Sequence, residues 1–276
     1  MPGKHRKFGE NRVVQAGFAV YDVLSILHAK SSTNMTYCVG LLLDSGLVMA
    51  SDSRTNAGVD HVSTYPKMTI FSQPGERVLV IMTAGNLAIS QAVIGRLQKS
   101  IAENVEPNLH TVSTLFDAAR VVGDALRAVH HDDAEHLKKH QAEFNQSIIL
   151  GGQIRGEKPR LFNIYAAGNF IEACAETPYF QIGETKYGKP ILDRVMGSGS
   201  GLREAAKCVL VSFDSTIRSN LSVGLPIDLF MYRSDSFNTD CMRRVNDDDA
   251  YFGDLRKSWA EGLRRVFTEI PDPDWC

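Results

Sequence analysis

Three polar residues stand where strand-forming segments would otherwise be apolar: Thr36, Asp52 and Lys67. Thr36 begins the run Thr36-Tyr-Cys-Val-Gly-Leu-Leu-Leu43, Asp52 closes Leu47-Val-Met-Ala-Ser-Asp52, and Lys67 opens Lys67-Met-Thr-Ile-Phe71. A hydroxyl, a carboxylate and an ammonium gathered beside a sheet are the parts of an activated-nucleophile site. Taken singly, each has an ordinary explanation: threonine suits a strand, aspartate a turn, lysine a sheet edge. Their joint placement carries the chemical reading.

That placement depends on the elements that hold them. The first two runs are joined by Asp44-Ser45-Gly46 and read as a β-hairpin. In a hairpin the start of one strand faces the end of its partner, so Thr36 and Asp52 fall at the same end. Residues 67–71 and 77–83 form a second hairpin around Gln73-Pro-Gly-Glu76, and Lys67, at its near end, reaches the same place. Beyond residue 85 the apolar period changes from 2 to 3.6. Residues 86–105 carry apolar side chains at 89, 93, 94, 97 and 101, and a second helix runs from about 112 towards 140 with Leu115, Ala119, Val122, Leu126 and Val129 on one face. Strands are expected at 147–154, 161–166, 170–174 and 227–232, and helices at 190–196, 202–218 and 250–267. Runs of strands separated by helix pairs argue against alternating βαβ units. They point to an α+β fold, a four-layer αββα sandwich with two stacked antiparallel sheets between helices.

Composition narrows the function classes. The chain has 276 residues, 43% of them hydrophobic, with 30 Lys+Arg against 32 Asp+Glu, which excludes coiled-coil, collagen-like and disordered classes. A net charge of −2 provides no general field for nucleic acid or an anionic membrane. No apolar run reaches the ~18 residues of a membrane span, and Asp22 interrupts what a signal peptide would need. Five cysteines without a CxxC pair read as reduced thiols, which implies a cytoplasmic protein. The charge is unevenly spread: residues 1–34 hold five basic residues (Lys4, Arg6, Lys7, Arg12, Lys30) against Glu10 and Asp22, so 5 − 2 = +3, and the remainder carries 25 − 30 = −5. The run from His130 to His140 reads as a solvated helix end, not a metal site. Gly197-Ser-Gly-Ser-Gly201 reads as an inter-helix loop, not a phosphate cradle, and no cofactor is implied.

Taken in order, Met35-Thr36-Tyr-Cys-Val-Gly, Ala50-Ser-Asp52-Ser-Arg-Thr, Tyr65-Pro-Lys67-Met and Thr83-Ala-Gly85-Asn resemble the proteasome β-subunit branch of the N-terminal nucleophile hydrolases. Two further stretches, Ala50-Ser-Asp-Ser-Arg-Thr-Asn-Ala-Gly-Val-Asp60 and Gly183-Glu-Thr-Lys-Tyr-Gly-Lys-Pro-Ile-Leu-Asp-Arg194, are similar to its Anbu group of bacterial proteasome homologues. The resemblance runs from Thr36 to the C-terminal region. It implies that Thr36, as first residue of the mature chain, is the nucleophile and that its own α-amine is the general base. A terminal amine with a pKa near 8 is partly neutral at physiological pH, as a lysine is not. Lys67 would ease loss of the hydroxyl proton, Asp52 would hold that ammonium and stay ionised, and the Gly85 N–H would serve the oxyanion. The family's polar cluster near the amine matches Gly183-Glu184 and Ser219-Asn-Leu-Ser222. Ser222 is retained, and the carboxylate has moved from position 219 to Glu184.

The resemblance further implies a homo-oligomer, either a closed ring or an open spiral, acting on a peptide or protein-derived amide. Two other functions share the motifs: a non-proteolytic amidase of a small or isopeptide-like amide, and a catalytically silent assembly subunit. Either enzyme needs Thr36 at a chain terminus. Residues 1–35 are therefore expected to be absent from the mature chain, as an upstream overextension of the start or a removed leader, because Met35 before a small residue suits methionine removal. Residues 36–276 form the single domain.

Overall fold

The first hairpin forms because seven-residue apolar runs flank a two-residue turn. In the computed structural model, which describes residues 36–56, 62–139 and 144–275, Leu43 faces Gly46 across Asp44-Ser45. Its strands are β1 (Tyr37–Leu43) and β2 (Gly46–Asp52). A small two-stranded ribbon follows, β3 (Arg54–Asn56) with β4 (Val62–Thr64), and then the second hairpin, β5 (Met68–Gln73) and β6 (Arg77–Gly85). Helices α1 (Leu87–Ala102) and α2 (Leu115–Lys139) come next, then β7 (Gln146–Ile154), β8 (Arg160–Ile164), β9 (Phe170–Glu172) and β10 (Tyr179–Gly183). The chain continues through α3 (Lys189–Val195), α4 (Leu202–Ser219), β11 (Ile227–Arg233), β12 (Met242–Val245) and α5 (Ala250–Glu269).

The strands make two antiparallel five-stranded sheets, β10-β1-β2-β11-β12 and β5-β6-β7-β8-β9. Three apolar interfaces then define four layers. Val78, Val80 and Met82 of β6 meet Cys38, Leu47 and Met49 between the sheets, while Leu79 and Ile81, one residue out of phase, pack under α1 and α2. On the other sheet Tyr37, Val39 and Leu41 pack against α4 residues such as Val209 and Phe213. Both faces of each sheet are covered, which is why the central strands read as near-continuous apolar runs. This is the αββα sandwich expected from the order of elements.

Differences from the sequence pattern are local. Helix α2 begins at Leu115 instead of 112, because Thr114 caps it: its hydroxyl accepts from the Asp117 amide at 3.1 Å and donates to the Asp117 carboxylate at 2.6 Å. Strands β3, β4, β10 and β12 were not anticipated. They are three to five residues long, and β10 and β12 gain order by pairing with the edges of a sheet whose centre lies far away in sequence. The glycine run 197–201 does form the α3–α4 connection. His130 and His131 are exposed on α2, whereas the side chains of His136 and His140 fall outside the described residues.

Candidate active site

Register places the first pair of candidate residues. Cys38 faces Ser51, so Tyr37 comes opposite Asp52, and the Tyr37 amide donates to Asp52 Oδ1 at 2.9 Å. Thr36, 5% exposed, is therefore held at the same end of the hairpin as Asp52. Lys67 arrives differently. It extends β5 by one rung, its carbonyl accepting from the Thr83 amide at 3.0 Å, and so belongs to the second sheet. The expectation of three groups beside one sheet becomes three groups at the mouth between two.

From that side Lys67 Nζ donates to Asp52 Oδ1 and to the Arg54 carbonyl, both at 2.7 Å. The two charged side chains are 5% and 0% exposed. Burial pushes Asp52 up to about 6, while the Lys67 ammonium and the Tyr37 and Gly224 amides restrain the rise. At neutral pH the carboxylate is thus ionised, but only by about one pH unit, a narrower margin than pairing with lysine suggests by itself. Cys38, one strand position beyond Tyr37, is sealed between the sheets. Burial first, and then the Asp52 charge, drive its thiol far above the ordinary range, so it is inert as a nucleophile.

Gly85 ends β6 immediately before α1, whose first turn is capped by the Asn86 side chain accepting from the Ala88 amide at 2.9 Å. Its φ is +127°, and a Cβ there would lie 2.0 Å from the Asn145 carbonyl oxygen, so only glycine fits. Thr36, Lys67, Thr83, Gly85, Asn86 and Ser90 line one cavity of about 550 Å³, which joins the nucleophile candidate to the proposed oxyanion donor.

The polar cluster on the other side of Thr36 is also assembled. The Glu184 amide donates to the Thr36 carbonyl at 2.7 Å, and Gly183, with φ +83°, lets the chain pass that carbonyl: a Cβ would come within 2.0 Å of its oxygen. Glu184 Oε2 accepts from Asn220 Nδ2 at 2.9 Å, and Asn220 Oδ1 accepts from the Ser222 amide at 2.9 Å. Glu184 and Ser222 are therefore linked through Asn220, while Ser219 is exposed on the last turn of α4 and stands outside that chain. Asn220 was not among the expected site residues. Its partner Glu184 lies 36 positions away, and nothing local distinguishes it from a helix C-cap, which it also is.

No family model and no curated protein matches the chain. Among solved structures, Anbu (ancestral β-subunit) from Yersinia bercovieri is 50% identical, with a TM-score of 0.82, covering 87% of this chain and 99% of that one. Anbu from Hyphomicrobium sp. strain MC1 is 49% identical over 87% and 100% of the two chains, with a TM-score of 0.79. The chain belongs to the Anbu family. A third Anbu structure, described as a helical assembly of the Anbu complex from Pseudomonas aeruginosa, is 48% identical, covers 86% and 98% of the two chains and has a TM-score of 0.82. Anbu proteins are bacterial homologues of proteasome β-subunits, and the αββα layering described above is the architecture they share.

Proposed function

We propose that this Anbu protein is a threonine-type amide hydrolase of peptidase character, with Thr36 as an N-terminal nucleophile. The observation that carries the reading is the buried Lys67 ammonium, held by Asp52 and the Arg54 carbonyl in the cavity that Thr36 and Gly85 line. In the proposed reaction Thr36 Oγ1 attacks the amide carbonyl carbon, and its proton passes through a water to the α-amine of the same residue. Lys67 stabilises the developing alkoxide, and the Gly85 N–H, at the head of α1, meets the tetrahedral oxyanion. Collapse breaks the C–N bond, the leaving amine takes the proton back from the α-ammonium, and an ester on Thr36 remains. Water then attacks that ester with the α-amine again as base, releasing the acid and restoring Thr36. The Glu184–Asn220–Ser222 chain, together with the Glu184 amide on the Thr36 carbonyl, orients the terminal residue.

The mechanism requires a chain that starts at Thr36. Loss of residues 1–35 is therefore part of the proposal. Self-assembly is the second part of the proposal. It is supported by the helical assembly of the P. aeruginosa relative and by the apolar end of α5, where Leu263, Val266 and Phe267, with Ile270 just beyond the helix, are 50–80% exposed. The cavity falls within the ~300–1,000 Å³ span usual for ligand sites, large enough for a short peptide segment.

The test is direct. Protein beginning at Thr36 should form an acyl-enzyme with 4-nitrophenyl acetate, seen as a 42 Da mass gain, about one acetyl group by the ester chemistry above. Thr36→Ala should not, and protein retaining residues before Thr36 should not. Equal acylation of Thr36→Ala would end the proposal. A library of peptides compared with small amides then decides between a peptidase and an amidase.

A further inference from the structure

The two acceptors that hold the Lys67 ammonium, Asp52 Oδ1 and the Arg54 carbonyl, flank a single residue, Ser53. Ser53 is fully buried. Its main chain is tied on both sides: its amide donates to the Pro226 carbonyl at 2.9 Å and its own carbonyl accepts from the Tyr65 amide at 2.7 Å. Its hydroxyl donates to Asp228 Oδ2 at 2.9 Å. Asp228 lies on β11 next to Ile227, the residue that faces Asp52, and is 3% exposed. Its charge is met from the adjoining strand by Arg244, which faces it in register and donates to both carboxylate oxygens at 3.0 and 3.3 Å.

A buried ion pair is weak evidence of stabilisation, because desolvation opposes the attraction between its charges. What it secures is geometry. A charge-assisted hydrogen bond is short and directional, and this one ends on the residue between the two Lys67 acceptors. Resting on the threonine-nucleophile reading, we propose that Asp228, with Arg244 behind it, is a positioning residue for the reaction. Through Ser53 it sets the Asp52 carboxylate and the Arg54 carbonyl around Lys67, and so places the ammonium against Thr36. Neither Asp228 nor Arg244 touches the cavity. Arg54 begins a two-stranded ribbon of three-residue strands, which by itself is too short to fix a carbonyl.

The test compares Ser53→Ala, Asp228→Asn, Asp228→Ala and the double variant Ser53→Ala/Asp228→Ala, all in protein beginning at Thr36, by single-turnover acylation with 4-nitrophenyl acetate from pH 5 to 9. Loss of the Ser53 hydroxyl lets the acceptors drift, and misplacement on the order of 1 Å costs up to ~10²-fold in rate. Ser53→Ala should therefore acylate about 10- to 100-fold more slowly with KM unchanged, and the acid limb of its pH profile should move as the Asp52–Lys67 pair is loosened. Asp228→Asn, which keeps an acceptor, should recover most of the rate, and the double variant should be no slower than Asp228→Ala, since both act through one bond. Should Asp228→Ala fail to fold, Ser53→Ala, one oxygen smaller than the parent, decides the matter. A Ser53→Ala rate within twofold of the parent with an unmoved pH profile, or effects that add in the double variant, would overturn the positioning role while leaving Thr36 as nucleophile. Acylation of Thr36→Ala at the parent rate would overturn both.

Discussion

Replacing Asp52 by asparagine should separate stability from activity. The carboxylate is fully buried, and its pKa moves from the ordinary 3.8 to about 6, so desolvation outweighs the attraction of Lys67 at 2.7 Å. The sign follows from linkage: between roughly pH 4 and 6 the folded protein binds this proton more tightly than the unfolded chain does. The stability linked to Asp52 is present in full below about pH 4 and is lost as the pH rises through 6. At 1.36 kcal/mol per pH unit the loss is about 3 kcal/mol, reduced in practice by relaxation around Lys67. Asparagine has the shape of the protonated acid and cannot titrate. Asp52→Asn should match the parent at pH 4 and equal or exceed its stability at pH 7.5, measured by urea unfolding at a series of pH values. Acylation should behave oppositely, with the parent gaining activity as the pH rises through about 6 and the variant slower by ~10²-fold. The reasoning is refuted if Asp52→Asn is 3–5 kcal/mol less stable at pH 7.5, the loss expected if the Lys67 ammonium is left buried without compensation.

Other outcomes can be checked in the same protein. Gly85→Ala should cost more than about 2 kcal/mol in thermal or urea unfolding, since its Cβ would sit 2.0 Å from the Asn145 oxygen at a φ of +127°. Acylation should fall with it, and a fully stable Gly85→Ala would contradict the backbone described for this turn. Phe267, 80% exposed on α5, should tolerate Phe267→Glu with little change in monomer stability but with disrupted self-assembly in light scattering or electron microscopy. Unchanged particles would remove that face from the interface. Asn220→Ala breaks the link from Glu184 to Ser222 and should slow acylation about 10-fold with a shift in the acid limb, where protonation of the α-amine removes the base. A rate unchanged across pH would show that the chain does not orient Thr36.

Helices α1, α2 and α4 were readable because one face of each is buried and the other wet, so period 3.6 survives in the sequence. Thr36 and Asp52 could be placed together because a two-residue turn leaves one register for the hairpin. Strand β10 could not be foreseen: Tyr-Phe-Gln-Ile-Gly is short, and its order comes from β1, more than 130 residues earlier (37↔183). Ser53, Asp228 and Arg244 look unremarkable in the chain, since a hydrogen bond across 175 positions leaves no local period.

From the sequence alone came the layer order and the end of the hairpin where the candidate residues Thr36 and Asp52 meet, because turn chemistry and hydrophobic period act over a few residues. Tertiary structure alone decided that Lys67 crosses from the second sheet, that the Gly183-Glu184 backbone grips the Thr36 carbonyl, and that a buried aspartate stands behind the serine between the lysine's two acceptors. Those contacts follow from how two sheets stack and which strands complete their edges. Such pairings are selected by the free energy of the whole core, and no segment of the chain carries them by itself.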